Sequence, residues 1–218
     1  MAERIPPTRE EHPLPAIIMH AVHLTSLIVL VFTGFYIHSP FFSGFMGYAR
    51  TLHNFAWMIF VAITVTRIYW SFFGRGSAPP GARTKRRDFH WFSPLRHEGE
   101  GTFRDTIKYY LFIKKTYPSV YKFNPLQKST YLFWAFILMP LMLLTGLCIW
   151  TPTQSFFEPF TYWLGGLQAM RSYHYLLMWL FIVTPAVHLY LVIAEVAREL
   201  PLMFAWREGK NAPPKQTD

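Results

Sequence analysis

The sequence has few charged residues and only one cysteine. Asp, Glu, Lys and Arg make up 15% of its 218 residues, whereas 52% are apolar and 19% are aromatic. This balance lies outside the usual range of soluble domains. Because Cys148 is the single cysteine, the chain cannot form an internal disulfide or hold an iron–sulfur cluster by itself. The composition therefore favours a membrane protein.

Four apolar stretches are each long enough to cross a hydrocarbon core, which needs roughly 20 helical residues. They cover residues 16–37, 52–73, 130–150 and 173–197, and we number the predicted transmembrane helices 1 to 4. The first stretch has no basic n-region and no small-residue cleavage site after it, so we expect it to be a permanent helix. The predicted fold class is an all-α membrane protein, a four-helix transmembrane bundle that forms one domain over residues 1–218.

Lys and Arg residues are distributed unevenly between the two ends of these helices. They precede helix 1, crowd the loop 74–128 and follow helix 4, whereas only Arg50 and Arg171 lie in the other two connections. By the positive-inside rule, both termini and the long loop are predicted to be cytoplasmic. Attraction to an anionic inner leaflet then explains the net charge of +9 without nucleic acid as a partner.

The long loop contains a further helical pattern. Phe103, Ile107 and Leu111 recur at helical spacing, with Lys108 and Lys114 between them. The pattern predicts a helix over 103–115 that lies in the inner membrane interface. It could anchor the loop passively or cover a site at that face, and the pattern does not distinguish these roles.

Five histidines fall within the predicted membrane helices. His20 and His23 belong to helix 1, His53 to helix 2, and His174 and His188 to helix 4. A polar ring inside a membrane is costly, and such residues indicate function by default. A lone histidine would be about as suited to an interhelical hydrogen bond as to a cofactor, so only the spacing can discriminate.

The spacing of these histidines indicates two sites at two depths. His174 and His188 are 14 residues apart, which is about 21 Å of rise and about 40° short of whole turns, so they share one face of helix 4. The predicted orientation pairs His174 with His53 in the outer half of the membrane and His188 with His20 in the inner half. Two neutral imidazoles from facing helices are the axial ligands that a b-type haem needs. We therefore predict two non-covalent haem b groups.

Three other residues lie at the same two depths. Gly34 and Gly146 would lie beside the outer haem, where a missing side chain lets a porphyrin approach the backbone, although close helix packing explains them equally well. Arg67, 14 residues after His53, would lie at the inner haem. A buried cation there needs an anionic partner such as a haem propionate, or else its side chain extends to the interface.

His23 and His38 are weaker candidates. His23 lies three residues after His20, and it could replace His20 as a ligand or donate a hydrogen bond to a quinone or propionate. His38 lies at the outer end of helix 1, where an interfacial position is expected.

Several short segments together match the pattern of one protein family. They are Gly-Tyr-Ala-Arg at 47–50 before His53, Arg-Ile-Tyr-Trp at 67–70, Phe-Gly at 73–74, Thr33-Gly34, Asn124-Pro125 with Gln127, and the pair His174 and His188. In these segments, which span all four helices, the chain resembles the b-type cytochrome subunits of membrane-bound nickel–iron hydrogenases. The four-histidine plan alone is shared with cytochrome b subunits of formate dehydrogenase and thiosulfate reductase. His38 and the additional His23 depart from the family pattern and leave the surroundings of the inner haem less defined.

The resemblance implies an electron-transfer subunit that does not itself split hydrogen, so no catalytic residue is assigned. Such a subunit would sit in a bacterial-type inner membrane and anchor the iron–sulfur small subunit and the catalytic large subunit of a hydrogenase on the outer face. Electrons would pass from the outer haem to the inner haem and then to membrane quinone near the cytoplasmic face. Asn124, Gln127 and His23 are the candidate quinone residues. For Asn124 and Gln127, capping and hydration at the start of helix 3 is the alternative.

Other function classes stay open at this point. A cytochrome b subunit of a formate dehydrogenase or thiosulfate reductase type complex, or a stand-alone b561-like cytochrome, would have the same histidine plan. A transporter could use intramembrane Arg and His residues along a proton or solute path. No second half of the sequence repeats the first with inverted topology, which disfavours the transporter.

Overall fold

The computed structural model describes residues 9, 11–77, 86–87, 89, 102–116, 125–197 and 200–207. Its helices within these ranges are α1 Leu14–His38, α2 Met46–Phe73, α3 Phe103–Tyr110, α4 Pro125–Phe133, α5 Met139–Ile149, α6 Thr151–Gln154, α7 Glu158–Trp163, α8 Gly166–Val196 and α9 Leu200–Ala205. Two short strands, β1 Arg75–Ser77 and β2 Arg86–Arg87, pair antiparallel.

Four helical segments are long and apolar enough to cross a membrane: Leu14–His38, Met46–Phe73, Leu126–Ile149 and Gly166–Ile193. The predicted all-α class with four membrane helices is thus confirmed. The helices α2 and α8 begin before the predicted residues 52 and 173. An apolar run marks only the part of a helix that matches the hydrocarbon thickness, whereas the hydrogen-bonded helix continues into the polar interface.

The third membrane span contains a π-helical turn, Trp134–Leu138, between α4 and α5. Pro140 follows at the start of α5. Proline has no N–H to donate, and its ring clashes with the carbonyl four residues earlier. A wider turn directly before the proline relieves this clash and keeps the span continuous.

The helix α3 ends earlier than the predicted helix over 103–115. Thr102 and Asp105 form a capping box at its start, and Leu111 closes its last turn. Phe112 then adopts a positive φ of 59°, which a helix does not contain. The Thr102 hydroxyl and then the Lys114 ammonium, 3.3 Å from the carboxylate, lower the pKa of Asp105 below its usual range. The location of α3 in the membrane interface stays a prediction.

The contacts of the chain divide it into two compact units. Unit 1 comprises Met1–Leu27, Trp57–Ser129 and Leu191–Asp218, and unit 2 comprises Ile28–Ala56 and Thr130–Tyr190. Many large apolar side chains on the four spans are exposed, including Ile28, Val65, Leu176 and Tyr190. Such exposure is expected where the surroundings are lipid. The prediction of one domain over the whole chain is not tested by this division.

In unit 2, Tyr36 stabilises the connection between α1 and α2. Its side chain is 1% exposed, and its hydroxyl donates a hydrogen bond to the carbonyl oxygen of Phe42 at 2.5 Å. The rings of Phe41 and Phe45 contact it edge-on, with centroids 5.2 and 5.3 Å away. This cluster fixes where α2 begins relative to the end of α1.

We expect Tyr36→Phe to reduce the free energy of unfolding by about 1 kcal/mol, because the part-buried hydrogen bond to the carbonyl of Phe42 would be lost. Denaturant unfolding of the detergent-solubilised protein, followed by circular dichroism, measures this change. Tyr48→Phe is the matched control, since Tyr48 is 71% exposed. An equal loss in both variants would contradict the assigned role of the hydrogen bond.

Candidate functional site

Unit 2 brings together two of the predicted ligands, His53 on α2 and His174 on α8. Their ring centroids are 6.4 Å apart, and the ring planes make an angle of 67°. Both side chains are half-buried. The predicted outer pair is therefore adjacent within one compact unit.

Each of these imidazoles contacts a threonine hydroxyl through its Nδ1 atom. The distance from Thr33 Oγ1 to His53 Nδ1 is 2.9 Å, and that from Thr145 Oγ1 to His174 Nδ1 is also 2.9 Å. Each hydroxyl lies 2.6 or 2.9 Å from the carbonyl four residues earlier in its own helix. Because a carbonyl can only accept, the single hydroxyl proton goes to it, and Nδ1–H donates to the threonine oxygen.

This hydrogen bond determines which ring nitrogen can bind a metal. With the proton on Nδ1, the Nε2 atom of each neutral ring carries the lone pair that a metal ligand requires. A hydrogen bond from the other nitrogen is also what orients metal-binding histidines in general. Both rings of the pair are thus in the tautomer that axial ligation by Nε2 needs.

Gly34 and Gly146 follow these two threonines and lie against the same imidazoles. A Cβ atom at Gly146 would lie 3.3 Å from His174 Cε1, which is tighter than ordinary van der Waals contact. A Cβ atom at Gly34 would lie 3.7 Å from His53 Cε1 and 3.2 Å from Met178 Sδ. Gly146 therefore makes room for the His174 ring, whereas the tight neighbour of Gly34 is Met178 and its distance to His53 is an ordinary van der Waals contact. The predicted role of both glycines beside a porphyrin stays a prediction.

The separation of the two rings fits a metal ion between them. An imidazole nitrogen lies about 2 Å from a bound first-row metal and about 1 Å from its own ring centre, so opposed ligands place their ring centres about 6 Å apart. Within the described residues no group of three or more His, Cys, Asp or Glu side chains could hold a metal ion. A b-type haem supplies four pyrrole nitrogens to its own iron and needs only two ligands from the protein. The pair fits a six-coordinate haem iron.

His188 also belongs to unit 2 and lies near Tyr131 of α4. The Tyr131 hydroxyl oxygen is 3.4 Å from His188 Nδ1, and the ring centroids are 6.0 Å apart. This contact is at the long limit of a hydrogen bond. It places an oxygen beside Nδ1 of His188, the ring nitrogen that also contacts a hydroxyl in His53 and His174. His20 belongs to unit 1 and is exposed. The pairing of His20 with His188 stays a prediction.

His23 in unit 1 has a different arrangement. Its Nε2 atom is 2.9 Å from Thr64 Oγ1, and that hydroxyl also bonds to the carbonyl of Phe60 at 2.7 Å. Whichever of the two atoms donates, the Nε2 atom of His23 is already hydrogen-bonded to the Thr64 hydroxyl. This contact occupies the nitrogen that ligation by Nε2 would need, which disfavours His23 as a substitute for His20.

Four candidates remain: Arg67, Gln127, Asn124 and His38. Arg67 lies one turn after Thr64 on the same face of α2 in unit 1, and its predicted propionate contact is not tested. Gln127 is half-buried in α4, whereas Asn124 lies outside the described residues. His38, exposed at the end of α1, stacks on Tyr175 with ring centroids 3.8 Å apart and planes at 10°.

The sequence identifies Gly34 and Gly146 by their predicted depth, and Thr33-Gly34 as part of the family pattern. It assigns no function to the hydroxyls of Thr33 and Thr145, or to Thr64 and Tyr131. The sequence does contain a signal for Thr33 and Thr145. The same dipeptide occurs twice, in two helices that run in the same predicted direction, near the depth of two histidines. Nothing comparable marks Thr64 or Tyr131.

Residues 11–206 match the model of a family described as prokaryotic cytochrome b561. The chain is 28% identical over 205 residues to a protein of Escherichia coli (strain K12) named probable Ni/Fe-hydrogenase 1 B-type cytochrome subunit, with 83% of this chain and 80% of that protein covered. It is 26% identical over 220 residues to a probable Ni/Fe-hydrogenase B-type cytochrome subunit of Azotobacter vinelandii, with 92% and 88% covered. The corresponding protein of Cupriavidus necator is 27% identical, with 83% and 77% covered. The resemblance found in the sequence is confirmed.

Proposed function

Because this chain belongs to the prokaryotic cytochrome b561 family, and is thus an integral membrane cytochrome that transfers electrons through b-type haem, we propose a specific route for those electrons. They come from the iron–sulfur small subunit of a nickel–iron hydrogenase, cross the membrane through two haem b groups, and reduce membrane quinone. The observation that carries the proposal is the pair His53 and His174, with rings 6.4 Å apart and both Nδ1 atoms held by hydroxyls.

His53 and His174 would hold the outer haem, and His20 and His188 the inner one. The 14-residue step between His174 and His188 supports this, since it repeats one helix face at a second depth. Arg67 would neutralise a propionate of the inner haem, because a cation inside a membrane needs an anionic partner. Gly34 and Gly146 would leave space beside the outer haem.

A bound haem supplies a one-electron Fe(III)/Fe(II) couple. The protein contributes two neutral imidazoles to the outer site, so binding adds no ligand charge to an apolar region. Thr33 and Thr145 hold each ring by Nδ1, which fixes its rotation before the metal is bound. The aromatic and aliphatic side chains of the surrounding spans exclude water and keep the local dielectric low.

The acceptor end of the route would lie at the cytoplasmic face, where the basic loop and both termini are expected. Gln127, Asn124 and His23 are the residues proposed to contact quinone there. His23 is included because its ring nitrogen Nε2 already forms a hydrogen bond, with Thr64 Oγ1. On the opposite face the chain would anchor the small and large hydrogenase subunits, and it would not split hydrogen itself.

The names of the relatives favour a hydrogenase complex, since the E. coli, Azotobacter and Cupriavidus proteins are each named as a subunit of a Ni/Fe-hydrogenase. The family description reads prokaryotic cytochrome b561, so a b561-like cytochrome that functions without a dehydrogenase partner is kept as the second candidate.

Purification of the chain from its native membrane in mild detergent tests the proposal. A reduced-minus-oxidised spectrum with haem counted per polypeptide is expected to give two b-type haems, and elemental analysis of the co-purified complex is expected to find nickel. Molybdenum or tungsten in place of nickel would overturn the hydrogenase assignment in favour of a formate dehydrogenase type complex. A haem-containing chain without any partner would favour the stand-alone cytochrome, and a chain without haem would overturn the whole proposal.

A further inference from the structure

We propose that Thr33 and Thr145 are positioning residues that set the tautomer, rotation and electron-donating strength of His53 and His174. Together with the glycine that follows each threonine, they form two copies of one Thr-Gly device, one for each face of the outer haem. The inference rests on the proposed function, because it assigns a role to residues around the same site.

The two threonine contacts have the same length on two different helices. Thr33 on α1 contacts His53, and Thr145 on α5 contacts His174, each at 2.9 Å from Oγ1 to Nδ1. The threonines are 1% and 8% exposed. A buried hydroxyl that is not hydrogen-bonded is costly, and here both the donor and the acceptor capacity of each hydroxyl are used.

The acceptor oxygen has a fixed position. Each hydroxyl bonds to the carbonyl four residues earlier, Val29 for Thr33 and Leu141 for Thr145, which restricts the threonine to one rotamer. The imidazole therefore meets an acceptor that does not move with the ring. A serine can form the same bonds, but it has more rotational freedom because it lacks the β-branch.

The glycine allows the ring to reach this acceptor. With a Cβ atom at Gly146 only 3.3 Å from His174 Cε1, an alanine at this position would press on the ring that Thr145 holds. The threonine thus attracts the Nδ1 edge of the ring, and the glycine leaves room for the neighbouring Cε1 edge. This combination restricts the orientation of the His174 ring, whose plane makes an angle of 67° with that of His53.

The hydrogen bond also affects how strongly each histidine donates electrons. An acceptor on Nδ1–H raises the basicity of the ligating nitrogen, and a more basic ligand stabilises ferric over ferrous iron. A hydroxyl does this without adding a buried negative charge, unlike the carboxylate found beside many metal-binding histidines. Removal of the hydroxyl should therefore raise the reduction potential of the haem that these histidines ligate.

The test compares Thr145→Val, which has the same shape without the hydroxyl, with Thr145→Ser, which retains it. Thr184→Val is the matched control, because the Thr184 hydroxyl bonds to the carbonyl of Leu180 in its own helix at 2.7 Å. The holoprotein is titrated optically for the potential of each haem, and its ferric form is examined by electron paramagnetic resonance. The largest g value of a low-spin ferric haem with two imidazole ligands depends on the angle between the ring planes.

We expect Thr145→Val to raise the potential of one haem, change its largest g value and leave the other haem unaltered. Thr145→Ser should restore both quantities, Thr33→Val should affect the same haem, and Thr184→Val should change neither haem. If Thr145→Val lost the haem altogether while Thr145→Ser kept it, the role of the hydroxyl would also be supported.

Three results would overturn the inference. They are an unchanged potential and g value in Thr145→Val, an equal shift in Thr184→Val, and loss of the haem in both the valine and the serine variant. These results differ from a failure of the proposed function. That failure would appear in the unsubstituted protein as missing haem, or in a His174→Ala variant that keeps its full haem content.

Discussion

Replacement of His174 by alanine is expected to remove one haem and to leave the other in place, which halves the haem content of the purified chain. His174 faces His53 across 6.4 Å, and the described residues offer no third His, Cys, Asp or Glu side chain at that point to take its place. The haem would then be held by only one of its two proposed protein ligands, His53. The loss is measured as haem per polypeptide, together with the redox titration of the remaining haem.

His38→Ala is the control for this variant. His38 also lies in unit 2 and contacts the neighbouring Tyr175 by ring stacking, so the substitution perturbs the same end of α8 without removing a proposed ligand. The account expects full haem content in His38→Ala and the same single loss in His53→Ala as in His174→Ala. Retention of both haems in His174→Ala, or loss of different haems in His53→Ala and His174→Ala, would show that these two residues do not share one haem.

The second large effect concerns the choice between His20 and His23 at the other haem. We expect His20→Ala to remove that haem and His23→Ala to retain it. The reason is the contact between His23 Nε2 and Thr64 Oγ1, which occupies the nitrogen that ligation would need, while His20 has the 14-residue relation to Gly34 that places it at the opposite depth. Haem content and the potential of the haem that remains distinguish the two variants.

His23→Ala has its own expected consequence. If His23 contacts quinone, the variant should keep both haems. In membranes, however, its haems should exchange electrons more slowly with added quinone or quinol. Haem loss in His23→Ala with retention in His20→Ala would reverse the assignment and make His23 the ligand.

The four membrane helices and the pairing of His53 with His174 could be predicted from the sequence because both depend on regular periodicity. The length of each apolar run matches the thickness of the hydrocarbon core. Residues on two neighbouring helices can meet only when they lie at the same depth in the membrane. The depth of His53 follows from its place at the start of helix 2, and that of His174 from its place near the start of helix 4. The positive-inside rule adds the direction in which each helix runs.

The contacts of the site could not be predicted in the same way. The hydrogen bonds of Thr33 and Thr145 depend on the rotation of each helix about its axis, which an almost uniformly apolar helix does not reveal. The same limit applies to Tyr131 beside His188, and to Gly146, whose neighbour is the imidazole of His174.

Local backbone features explain the differences in helix length. The early end of α3 depends on the positive φ of Phe112, although the apolar periodicity continues through Leu111. The π-helical turn before Pro140 depends on how the chain accommodates a missing N–H. Neither feature alters the apolar periodicity. Pro140 marks where the third span must deviate from a regular helix, but it does not reveal that the deviation is a π-helical turn.

The most direct measurement is an electron cryomicroscopy map of the chain purified with its cofactor. The account predicts a flat macrocycle between His53 and His174, with its iron bonded to Nε2 of both rings and with Nδ1 of each ring on Thr33 or Thr145. A map in which these two imidazoles contact only protein, and in which any macrocycle lies elsewhere, would contradict it.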